Sequence, residues 1–140
     1  MTHQIIVTEA GEISQPPLHD AEIRGLLFVS NNKLLMPISI YDGARLCLVL
    51  CGVERLRVED FRQGNIILDV TVSSGMSIDA ADVAYAYGLE LKESLFLQQT
   101  MERLIQEGGI IVRVNPSYGG TLVCICNGIE INDDSLPWQT

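Results

Sequence analysis

At 140 residues, 47% hydrophobic and 19% charged, the chain is long and apolar enough to close a hydrophobic core, which excludes intrinsic disorder. Eighteen acids against nine bases leave a net charge of −9. With only Lys33, Lys92 and seven scattered arginines, no basic stripe exists to displace counterions from phosphates, so neither nucleic acid nor an anionic membrane is expected as a partner.

The opening "MTHQIIVTEAGE" has an acidic flank and a short apolar run, unlike a secretory leader, and no stretch approaches the ~18 apolar residues a membrane helix requires. A single cytoplasmic domain spanning 1–140 is expected, with its four cysteines reduced.

From 1 to about 75 the chain reads as strands and tight turns. "EIRGLLFVS" (22–30) and "KLLMPISIY" (33–41) flank Asn31-Asn32, expected to form a two-residue hairpin turn. Pro37 removes a ladder donor, which suits an edge strand or a bulge. Asp42-Gly43 is the strongest hairpin signal, leading into "ARLCLVLCGV". In "VERLRVEDF" (53–61), Val53, Arg55 and Arg57 fall on one side, with Leu56 and Val58 on the other. In "IILDVTVSS" (66–74), Ile66, Leu68, Val70 and Val72 are expected to share one face.

After Ser77 the period changes. Asp79 can cap a short helix carrying Asp82 in its first turn and ending at Gly88. Val83, Tyr85, Tyr87, Leu89 and Leu91 also alternate, so a strand over 83–91 is an open alternative. The main helix lies in "KESLFLQQTMERLIQEGG" (92–109), with Leu97, Met101, Leu104 and Ile105 as its apolar stripe and Gly108-Gly109 as its stop. "IIVRVN", "TLVCICN" and "GIEIN" return to strand character. The expected class is α+β, mainly β. An antiparallel sheet, curled or two-layered in a sandwich or barrel-like form, carries one main amphipathic helix inserted before the last strands.

Four cysteines raise the question of a metal or redox site. As strand residues, Cys47 and Cys51 lie about 13 Å apart and cannot bridge, and Cys124 and Cys126 lie about 7 Å apart. Neither pair has the C-x-x-C spacing of a zinc knuckle, so all four are expected to behave as core residues. His19-Asp20 in "PPLHDAEI" looks like part of a metal-dependent hydrolase centre, but His3 is the only other histidine and sits in a start expected to be mobile. Asp20 is expected to close a turn after Pro16-Pro17. No metal, cofactor, nucleophilic triad or phosphate loop is expected.

The acids Glu54, Glu59, Asp60 and Asp69 can meet Arg55, Arg57 or Arg62 if the strands at 53–60 and 65–72 pair. Tyr118 in "NPSYGG" (115–120) suits a recognition surface or packing over strand ends, as does Trp138.

The segments "LHDAEI" (18–23), "GVERLRVEDFRQGNIILDV" (52–70) and "NPSYGGTLVCICNGIEI" (115–131) together resemble a class of short bacterial β-rich proteins without assigned activity. Some similar ones act as immunity proteins that bind and neutralise a toxin. The acidic composition, the lack of a catalytic constellation and strands apolar on both faces point to a non-catalytic interaction module, immunity-like as the resemblance implies or self-associating as a homodimer. The acidic surface suits a basic protein partner through electrostatic steering. The alternative is a small-molecule-binding protein or enzyme with a pocket between sheet and helix, lined by Tyr85, Tyr87, Tyr118, His19 and Asp20.

Overall fold

The computed structural model describes residues 1–29, 32–90 and 94–134; Ser30, Asn31 and Trp138 lie outside them. Period-two alternation of apolar residues makes strands of about half of this chain. Five short ones come first: β1 (Thr2–His3), β2 (Ile6–Val7), β3 (Ile13–Gln15), β4 (Glu22–Ile23) and β5 (Leu27–Val29). Longer strands follow, β6 (Lys33–Ser39), β7 (Arg45–Cys51), β8 (Arg55–Glu59) and β9 (Asn65–Ser74). Two helices, α1 (Ala80–Tyr87) and α2 (Leu95–Glu107), precede β10 (Ile110–Tyr118), β11 (Thr121–Cys126) and β12 (Gly128–Asp133). The protein is α+β and mainly β, with an antiparallel sheet. No helix among the described residues is long and apolar enough to cross a membrane.

The main sheet runs β1-β12-β7-β6-β4-β9-β10-β11-β8, and β5 lies beside β6 beyond β4. First and last strands therefore meet: Thr2 pairs with Asn132 and His3 with Ile131. Five strands separate β7 from β8 in this order, yet the end of one and the start of the other are joined by residues 52–54 alone. The sheet must curl back on itself to allow this short link. It does not close into a barrel, so of the expected forms the open curl is the one found.

One face holds the larger core, where Leu34, Met36, Leu48, Leu50, Val112 and Ile131 are fully buried. On the other face Ile111, Val123 and Ile125 pack against α1 and α2. Asp79 caps α1 by accepting from the Ala81 amide at 2.9 Å, and Gly88 ends it in the left-handed region at φ 71°. The strand alternative for 83–91 thus gives way to a helix over Ala80–Tyr87; Leu91 lies outside the described residues. In α2 the buried stripe is Leu97, Thr100 and Leu104. Ile105 is exposed instead, and the Thr100 hydroxyl donates to the Phe96 carbonyl at 2.7 Å.

Other departures have local causes. The expected Asn31-Asn32 turn falls partly outside the described residues; on either side of it Val29 pairs with Lys33. Pro37 sits in an interior strand rather than at an edge, but its carbonyl accepts from Arg24 in the break between β4 and β5. Its missing donor points to that same break, where no strand requires it. In β9, Asn115 faces Asp69 and Pro116 faces Ile67, which leaves Leu68 as an unpaired bulge residue. The extra residue shifts the alternation, so Ile67 joins Val70 in the core and Leu68 turns outward, 44% exposed. Finally, β8 pairs with β11 and not with β9, so Asp69 meets Asn115 rather than an arginine.

Candidate functional site

Val53 to Arg57 alternate around an extended backbone, and α1 lies over one face of that strand. Leu56 and Val58 turn toward the larger core. Arg55 and Arg57 turn toward α1, their guanidinium carbons 4.6 Å from the Tyr87 ring centroid and 4.3 Å from that of Tyr85. Arg57 also donates to the Tyr85 carbonyl at 3.0 Å and pairs with Glu59 at 3.0 Å. Tyr87 meets Phe96 of α2 edge to face, with ring centroids 5.3 Å apart.

Glu54 ties the three elements together. It accepts from the Tyr87 hydroxyl and from Arg103 of α2 at 2.6 Å, and Arg103 also reaches Glu107 at 3.1 Å. The Arg103 hydrogen bond holds the Glu54 carboxyl below the usual range. Burial and the Glu59 carboxylate push the Tyr85 hydroxyl up to about 12. Because the Glu54 value is lowered by folding, the pair contributes stability above about pH 4.5 and loses it as pH falls through the folded-state value. Arg103→Gln is expected to lower stability by no more than about 1 kcal/mol at pH 7, the pair being partly exposed. In urea titrations at pH 7 and pH 3, the gap between variant and native protein should shrink at the lower pH.

Beside this network lies an open groove of about 570 Å³. One wall is β8 with the end of α1; Phe28 of β5 stands in the other. Both strands have a free side: β8 is the last strand of the sheet, and β5 pairs only with β6 among the described residues. Leu27, Phe28 and Val29 are 50%, 55% and 37% exposed, so β5 shows apolar side chains on both faces.

The five residues expected to line a pocket fall into two groups. Tyr85 and Tyr87 belong to α1, and only Tyr87 lines the groove. His19, Asp20 and Tyr118 are attached to the first half of β9. The His19 Nδ1 bonds to the Leu68 carbonyl at 2.9 Å, the Asp20 amide donates to the Ile67 carbonyl, and Tyr118 pairs with Ile66. Asp20 adopts φ 66° and its carboxylate lies 3.5 Å from His19, which raises the imidazole value together with the Leu68 contact. His19 thus satisfies the carbonyl of the bulge residue. The other histidine, expected in a mobile start, is held in β1 by a 2.7 Å contact with Asp133.

All four cysteines are free thiols: Cys47, Cys124 and Cys126 are buried and Cys51 is half-buried. Contact with Cys126 and burial push the Cys124 thiol well above its ordinary range. Among the described residues no group of three or more His, Cys, Asp or Glu side chains is placed to hold a metal ion. Sequence reasoning missed Phe28, because the apolar run at 26–29 reads as a strand without showing which of its sides stays uncovered. The signal that was present is Arg55-Leu56-Arg57, an alternation of charge and apolar residue that suits an edge.

Comparisons with protein-family models, with curated proteins and with solved structures found no match.

Proposed function

We propose that the protein acts by binding another protein along the open seam between β5 and β8, without catalysis. The observation that carries this reading is the pair of free strand edges facing one groove, with exposed Phe28 on one side and Arg55 stacked on Tyr87 on the other. Exposed sheet edges are normally blunted or covered, because their unpaired backbone groups accept a further strand. Aromatic residues and arginine are also the types enriched in interface cores. In the immunity-like form of this reading, the partner is a toxin whose activity is blocked by binding.

A photo-crosslinking residue placed at Phe28 tests the reading in a lysate of the source organism. The control is the same residue at Tyr41, which is exposed at the tip of the β6–β7 hairpin. The expected result is a discrete adduct from position 28 alone. Equal background from both positions would refute the seam as a binding surface.

A further inference from the structure

Resting on that reading, we propose that the seam receives an extended segment of a partner protein, which adds as a strand to β8 and alternates acidic with apolar side chains. The free edge of β8 runs from Arg55 to Glu59. At ~3.3 Å per residue, this accommodates about five residues of an added strand.

Side chains of an added strand fall into the same two sets as those of β8. One set would lie beside Arg55 and Arg57, on the face under α1. The other would lie beside Leu56 and Val58, which already pack on the larger core, and opposite Phe28. Acids suit the first set and apolar residues the second.

Residues 54–62 carry three acids and three arginines, so the net charge of −9 is balanced locally here. Three of the seven arginines, Arg55, Arg57 and Arg62, lie on β8 or in the turn after it. The carboxylate nearest the groove, Glu54, is already engaged by Arg103 and Tyr87. Arg57 is committed to Glu59 and the Tyr85 carbonyl, whereas Arg55 makes no ion pair among the described residues and is held in place by Tyr87. Arg55 is therefore the principal anchor for an incoming carboxylate. The overall acidity suggests a basic partner; the seam selects the opposite sign.

The alternative occupant, a second copy joined β8 to β8, fits less well. Antiparallel pairing centred on Arg57 would set Arg55 against Glu59 twice but would also place the two Arg57 side chains opposite each other, and like charges directly opposite are destabilising.

The test is fluorescence polarisation of the full chain with two labelled peptides about ten residues long. One alternates glutamate with valine; the other has lysine for each glutamate. The glutamate peptide is expected to bind at least about tenfold more tightly than the lysine peptide, and Arg55→Glu is expected to abolish or reverse that preference. Amides of β8 should gain protection from hydrogen exchange when the glutamate peptide is bound. Binding without charge preference, or a preference unchanged in Arg55→Glu, would overturn the proposal. So would a stable dimer by sedimentation that Arg55→Glu dissociates, since the edge would then belong to a second copy. If the Phe28 crosslink forms while the glutamate peptide fails to bind, the seam reading stands and the acidic strand alone is rejected. If neither occurs, both are rejected.

Discussion

Leu48→Ala is expected to lower the stability of the protein by about 3 kcal/mol, within the range measured for buried leucines. Leu48 is wholly buried in β7, between Met36 of β6 and Ile131 of β12, both wholly buried themselves. Truncation leaves a cavity bounded on two sides by hydrogen-bonded strands, which cannot close over it without breaking their ladders. Met36 is the one flexible neighbour that can fill part of the space, so the loss should fall short of the largest known values. Urea unfolding measures this, and Leu27→Ala is the matched control. Leu27 is half exposed on β5, and its loss should change stability by less than about 0.5 kcal/mol. An equal loss from the two variants would contradict the placement of Leu27 on an uncovered edge. The contrast also bears on function, because an exposed apolar residue that contributes little to folding is available for a partner.

Asn65→Ala should cost a similar amount, roughly 3 kcal/mol, through a different mechanism. Asn65 is 1% exposed, and its carboxamide oxygen accepts from the Arg62 and Gly120 amides, each at 2.8 Å. Its nitrogen donates to the Arg62 carbonyl. One side chain thus fastens the turn before β9 to the Gly119-Gly120 turn of the β10–β11 hairpin. Alanine strands two amides and a carbonyl together. Gly119→Ala attacks the same contact from the other side. A Cβ there would stand 2.3 Å from the Asn65 oxygen, at a backbone φ of +87° that side chains rarely adopt. Because both variants break one contact, their costs should not add, and the double variant should lose less than the sum. Additive losses in urea titrations would show that the two turns are independent.

What the sequence reveals of this protein is mostly local. Asp79, Gly88, Gly108 and the Asp42-Gly43 turn are legible because a cap or a tight turn is decided by a few adjacent residues. The alternation in β8 correctly separates Arg55 and Arg57 from Leu56 and Val58. Alternation names a strand's two faces, however, and is silent on its neighbours: β8 lies beside β11, across a gap of more than sixty residues, rather than beside β9. The bulge at Leu68 was hidden for a related reason, since a single unpaired residue reverses every face after it. The candidate site was half legible. Tyr87 stands out as an amphipathic side chain, but the seam beside it arises from a failure of two edges to meet, and no local pattern announces that.

The pairing of β1 with β12 dictates an order of assembly. While the chain is being synthesised, Thr2 and His3 have no partner until residues near 132 have emerged, so the first strand must wait for the last. Such distant pairings raise the average sequence separation of contacts, which slows folding. In that interval β12 can dock on β7 with its outer side still bare. The nascent sheet then carries a bare border along the whole of β12, which β1 later covers only opposite Ile131 and Asn132, whereas the border at β8 stays open along its length.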